Sequence, residues 1–155
     1  MSELKKEELI VNAIKDGTVI DHIPPRSLFK VISILGLDTI NAQITFGNYL
    51  DSKKLSKKGI IKITDRFFDD DEVNKIALVA PEAKLNTIRD YLVVEKREVK
   101  VPRKVTGIVK CLNPMCITNN EKITTKFYVV NLNPVTLKCH YCEKMVEQEK
   151  MTMIV

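Results

Sequence analysis

Apolar positions in the first hundred residues change period several times, and those changes outline a fold. Residues 9–14 are mostly apolar, and Lys15-Asp16-Gly17 then turns the chain into Thr18-Val19-Ile20, which predicts a bent or hairpin strand. Pro24-Pro25 can open a helix, because proline is tolerated in a first turn. Leu28, Val31, Ile32 and Leu35 follow at i, i+3, i+4 and i+7, one apolar helical face, and Gly36 supplies the stop. Residues 39–49 alternate as a strand, the Lys- and Ser-rich stretch 51–59 reads as a loop, and 60–64 as the next strand. Asp69-Asp70-Asp71-Glu72 complements the dipole of a second helix, with Val73, Ile76, Ala77 and Ala80 as its buried face and Pro81 as its end. Residues 84–88 and 91–94 are two further strand segments around Arg89-Asp90.

The order strand, helix, strand, strand, helix, strand is the split βαβ, ferredoxin-like arrangement, an antiparallel sheet with both helices on one face. Beyond residue 100 the helical period disappears. Short strands are expected at 105–109, at 124–130 and around Leu137, and the charged, Pro102-containing stretch 96–104 is the expected linker. The expected class is therefore α+β, with a ferredoxin-like domain over 1–100 and a small all-β domain over 101–155.

Composition adds two bounds. With 45% hydrophobic residues the chain can bury a core, so disorder is not expected. No apolar run approaches the roughly 18 residues of a membrane span. The net charge of +5 invites a nucleic-acid reading, but its distribution weakens it. Residues 1–100 carry 17 Lys+Arg against 16 Asp+Glu, and residues 101–155 carry 8 against 4. That mild excess falls short of a dense basic stripe, and Phe127, Tyr128 and Tyr141 are the only rings of the tail.

The chemistry concentrates in Cys111, Cys116, Cys139 and Cys142, the only cysteines of the chain. Their C-x4-C and C-x2-C spacings let each pair sit on one tight turn, and two such turns complete a tetrahedral S4 shell that suits one structural Zn2+ per chain. Two disulfides are the main rival. Met1 to Lys6 show no apolar core or small-residue cleavage site behind them, so secretion is not expected and the cytoplasm is. A C-x2-C redox pair would leave Cys111 and Cys116 unexplained. Four thiolates leave no open position, so the metal is expected to hold structure and His140 to stay outside the shell.

Catalytic chemistry is scarce. Glycines stand singly, with no phosphate loop, and Asp21-His22 is the one local acid–base pair, with no nucleophile beside it. The acidic run at 69–72 is read as helix capping before a cation site. A binding module without catalysis is expected.

Specific residues then point further. V-N-A-I-K-D-G-T-V-I-D-H-I-P at 11–24, I-I-K-I at 60–63, A-P-E-A at 80–83, N-x-I-x-x-Y-x-V-V-x-K from Asn86 to Lys96, and L-K-C-H-Y-C-E-K at 137–144 resemble the regulatory chain of aspartate carbamoyltransferase. The resemblance spans about residues 9–145. It implies a non-enzymatic subunit of pyrimidine biosynthesis, with an N-terminal allosteric domain that binds CTP and ATP, with UTP a third candidate, and pairs into a homodimer. It implies a C-terminal zinc domain that docks on the catalytic chain. Carried over, Val11, Ala13, Ile14, Val19, Ile88 and Tyr91 would surround the base, and Asp21 and Lys62 would hold the ribose with Lys62 also near the base. His22 and Lys96 would meet the phosphates, Val93 would line the pocket, and Asn86 would belong to the binding set. No nucleic acid or membrane partner is implied. A zinc-ribbon nucleic-acid-binding protein is the alternative.

Overall fold

The computed structural model describes residues 13–154. The strand expected over 9–14 falls mostly outside them, as does Val11. Five strands form one antiparallel sheet: β1 (Gly17–Ile23), β2 (Ile44–Ser52), β3 (Ser56–Thr64), β4 (Lys84–Arg89) and β5 (Leu92–Glu98), in the order β2-β3-β1-β4-β5. Helices α1 (Leu28–Ile34) and α2 (Asp70–Ile76) make the crossovers. The first four strands and two helices are the ferredoxin-like arrangement, with β5 added at the edge beside β4.

Pleating sorts the residues. Ile20, Ile61, Ile63 and Leu85 pack into one buried cluster with Leu28 and Val31 of α1 and Val73 and Ile76 of α2. Each such side chain, fully buried, contributes about 1.5–3 kcal/mol. The alternate residues of the same strands face the opposite side. Lys62 lies opposite Val19, Val19 opposite Asn86, and Asn86 opposite Lys96, so one row crosses the sheet on the face without helices. The I-I-K-I alternation of β3 therefore carries a core residue and a site residue in turn.

Gly17 opens β1 at φ +140°, and a Cβ built there would lie 2.1 Å from the Ile63 carbonyl oxygen. Gly17→Ala is expected to cost about 2–3 kcal/mol and lower Tm by roughly 5–10 °C. A variant melting with the unaltered chain would contradict this.

The structure corrects several boundaries. Strand β2 starts at Ile44, five residues later than expected, because the polar stretch after Gly36 closes a turn through Thr39. The expected loop at 51–59 is mostly strand: β2 runs to Ser52 and β3 begins at Ser56, and a bulge lets Leu50 pair with Lys58. Helix α2 ends at Ile76, although Ala77 and Ala80 are buried as expected. Its start carries a full capping box between Asp69 and Glu72.

The C-terminal lobe holds β6 (Lys104–Thr106), β7 (Val109–Lys110), helix α3 (Ile117–Asn120), β8 (Lys126–Leu132), β9 (Val135–Cys139), β10 (Met145–Glu147) and β11 (Thr152–Met153). Four strands form a sheet in the order β10-β9-β8-β6, and β11 pairs with β7. Residues 96–98 belong to β5, so the connection is shorter than the expected linker and is packed: Val99 and Val101 lie against the core. The larger of two buried apolar clusters among the described residues runs across both lobes, and the Gln148 amide donates to the Val79 carbonyl at 3.0 Å.

Candidate functional site

Two constellations stand apart in the chain. The first is the cysteine cluster. Cys111 follows β7, Cys116 caps α3, Cys139 ends β9, and Cys142 lies on the turn before β10. Sγ of Cys111 is 3.6 Å from Sγ of Cys142, and Cys116 is 3.8 Å from Cys139. All four sulfurs lie within 4.8 Å of one another. Both short contacts join one turn to the other, and neither approaches the roughly 2.0 Å of a disulfide. Metal–sulfur bonds of about 2.3 Å make a tetrahedron with edges of about 3.8 Å, so the sulfur shell fits a four-coordinate ion.

Electrostatics agree with a cation there. Burial pushes the Cys111 thiol up to about 12 and raises Cys139 as well. Burial also pushes Cys142 upward, but the backbone N–H of Lys144 and neighbouring donors outweigh it and bring the thiol to about 7. Closely packed thiolates repel one another, and a bound cation removes that cost.

Residues absent from the sequence-based expectations build the shell around the sulfurs. Asn119 donates its amide to the carbonyls of Cys111 (2.8 Å) and Asn113 (2.7 Å), and Asn120 to those of Cys116 (2.9 Å) and Pro114 (3.0 Å). The Thr118 hydroxyl donates to Cys116 Sγ at 3.2 Å. Their signal was the polar T-N-N that begins two residues after the second cysteine. His140 is exposed and packs edge-on against Tyr128 and Tyr141, outside the cluster as expected.

The second constellation occupies the helix-free face of the five-stranded sheet. An open cleft enclosing about 580 Å³, its solvent mouth included, is lined by Ala13, Ile14, Val19, Asp21, Ile60, Lys62, Asn86, Ile88, Tyr91 and Val93. Val19, Ile60 and Ile88 form its apolar floor. Asp90 and Tyr91, both at positive φ, make the tight β4–β5 turn that sets Tyr91 at the rim. An adjoining cleft contains His22, Ser52, Lys53, Lys54, Lys58, Lys84, Lys96, Arg97 and Glu98, and shares Asp21 and Asn86 with the first. Every expected site residue among the described ones thus lines one cleft or the other.

A β-bulge between Ile20 and Ile23, with His22 at φ 59°, re-aims the strand where the two clefts meet. Asp21 there accepts from its neighbour's backbone, His22 N–H, at 2.6 Å and pairs with Lys58 Nζ at 2.9 Å. Lys58 is 2% exposed and Lys62 4%. Lysines 53, 54, 58 and 84 are additions to the expected set. The doubled Lys53-Lys54 and Lys57-Lys58 were visible, but a loop reading hid their placement. An apolar slot continuous with a lysine-lined basin accepts a flat, partly apolar molecule carrying several negative charges.

Fold and clusters together define a two-lobed α+β protein, one lobe with a lysine-lined cleft and the other with a four-cysteine cluster that fits a metal ion. The family model for the aspartate carbamoyltransferase regulatory chain, allosteric domain, matches residues 9–100, and that for its metal binding domain matches 103–152. The chain is 57% identical over 154 residues to the aspartate carbamoyltransferase regulatory chain of Bacteroides fragilis, covering 99% of this chain and 100% of the relative. It is 53% identical over 146 residues to that of Pyrococcus horikoshii, covering 93% and 96%. The chain belongs to the family of aspartate carbamoyltransferase regulatory chains.

Proposed function

We propose that this chain is a non-catalytic regulatory subunit that binds nucleotide effectors, CTP, ATP and UTP, and passes their effect to the catalytic chain of aspartate carbamoyltransferase in pyrimidine biosynthesis. The observation that carries the reading is the pair of joined clefts. The apolar slot takes the base, Asp21 and Lys62 take the ribose, and the lysine basin with His22 and Lys96 takes the phosphates. A triphosphate brings about four negative charges, for which mobile ammonium groups are suitable donors.

The metal is one Zn2+ held by Cys111, Cys116, Cys139 and Cys142. A closed S4 shell gives zinc a structural part only, and the lobe it braces, residues 101–155, is the one that docks on the catalytic chain. Residues 1–100 form the effector domain and pair into a homodimer, for which exposed Phe29, Phe46 and Tyr49 beside edge strand β2 are suited. Among the described residues no helix is long and apolar enough to cross a membrane, and reduced thiols suit a cytoplasmic setting. Effector coupling of this kind typically amounts to about 1–3 kcal/mol. Charges on one sheet do not reach a distant active site, so the effect travels by movement of lobes or subunits.

Lys62→Ala and Lys96→Ala test the pocket by calorimetric titration with CTP and ATP. Each is expected to weaken binding about tenfold or more, the loss of at least one charge-assisted contact. Unchanged affinity in both would remove the site. Docking on the catalytic chain should survive a salt titration that would abolish nucleic-acid binding.

A further inference from the structure

Resting on the effector reading above, we propose that Arg97 is a positioning residue that transmits occupancy of the lysine-lined cleft to the junction of the two lobes. Among the described residues β5 is an edge strand, paired only with β4, and Arg97 is its one residue that is not exposed. Its neighbour Lys96 stands opposite Asn86 on the cleft face, whereas Arg97 stands opposite buried Leu85 on the helix face. Lys96 therefore faces the cleft, while Arg97, on a strand end that also lines the cleft, carries its guanidinium to the scaffold.

On the scaffold side the guanidinium spans the start of α2. Nη1 donates to the Phe68 carbonyl at 2.8 Å and Nη2 pairs with Asp70, on either side of the N-cap residue Asp69. Nε lies 3.7 Å from Glu95. Three residues on, the Lys100 backbone N–H donates to Asn74 Oδ1 at 3.1 Å, one helical turn along. The end of β5 and the connection to the C-terminal lobe are thus fixed to α2 at two points. Just past the other end of α2, the Val79 carbonyl accepts from Gln148 of the C-terminal lobe. Helix α2 with its flanking turns contacts both the ligand-facing strand and the far lobe.

Magnitudes indicate that the Arg97 latch matters for position more than stability. Asp70 is 89% exposed, and an ion pair to such a group contributes well under about 1 kcal/mol. A planar fork holding a carbonyl and a carboxylate together does fix where the strand end sits. An anion that draws Lys96 into the cleft displaces the next residue of the same strand, and α2 follows through the two anchors.

The test uses the full chain assembled with its catalytic partner, with CTP and ATP as probes. Arg97→Gln is expected to keep nucleotide affinity within about twofold, since its guanidinium is engaged by Phe68 and Asp70, while the activity response at saturating nucleotide falls about fivefold or more. Hydrogen exchange reports the path separately: nucleotide should change protection at residues 76–80 and 148–150 in the unaltered chain, and much less in Arg97→Gln. Arg97→Lys keeps the charge and one donor and should recover part of the response. Asn74→Ala removes only the second anchor and should also reduce it, which keeps the test valid should Arg97→Gln fold poorly. A full response in Arg97→Gln, or in Asn74→Ala where the first fails to fold, overturns the proposal. So does a tenfold loss of affinity in Arg97→Gln, which would make Arg97 a direct ligand contact. Absence of nucleotide binding in the unaltered chain overturns the effector reading and the latch with it. Binding without any change at 148–150 removes the latch alone.

Discussion

Stripping the metal from the intact chain is expected to unfold the lobe built from β6 to β11 and leave the five-stranded sheet folded. The C-terminal lobe buries few large apolar side chains, chiefly Val105, Val109, Phe127, Val135, Leu137, Val146 and Met151. A lobe of roughly fifty residues with so small an apolar core is marginal by itself, and a metal commonly supplies the deficit. A structural zinc site supplies on the order of 10–16 kcal/mol, more than any one buried side chain. Both cysteine turns lie at strand or helix ends, so losing the ion frees the termini of β7, α3 and β9 together. Cys139→Ser should reproduce the effect of a chelator. The check is amide exchange with a metal assay: protection at Phe127 and Leu137 should vanish while that at Ile20 and Ile61 persists. Binding to the catalytic chain should be lost in parallel. A lobe that keeps its protection and its partner after quantitative metal removal would disprove the structural role.

The sequence made some of this visible and hid the rest for identifiable reasons. Helix α1 was legible because Leu28, Val31, Ile32 and Leu35 keep a 3.6 period against one core, and Gly36 at positive φ ends it. The cysteine turns were legible because ligand spacing is local. Strand β3 was half hidden: Ile60 to Thr64 alternates, but its first residues are polar, Lys58 facing the lysine basin and the Asp21 carboxylate and Lys57 pairing with exposed Asp51. Asn119 and Asn120 were missed because hydrogen bonds to backbone carbonyls leave no periodic trace. The packed connection around Val99 and Val101 was read as a linker because its charges dominate the local composition, while its valines lie on the core. The positions least legible in sequence are those whose partner is distant in the chain.

Lys58→Met should be the most damaging single change in the five-stranded sheet away from its apolar core. Lys58 is 2% exposed and its Nζ lies 2.9 Å from an Asp21 oxygen, and Asp21 is itself only 13% exposed. Removing the ammonium leaves a carboxylate in a largely dry place with the His22 N–H as a remaining hydrogen-bond donor. Breaking such a pair costs about 3–5 kcal/mol, more than either residue contributes when the pair is replaced as a unit. For a chain of this size that is a fall in Tm of roughly 6–15 °C. Adding Asp21→Asn should return most of the loss, because a neutral amide needs no counter-charge. Phosphate-bearing ligands report the other half of the effect. Lys58 belongs to the basin and Asp21 to the ribose contact proposed above, so the double variant, though stable again, should bind CTP about tenfold or more weakly, with both contacts altered. A single variant as stable as the unaltered chain would mean that Asp21 has water or another donor in reserve. A double variant that binds normally would place the phosphates nearer Lys84 and Lys96, away from the bulge.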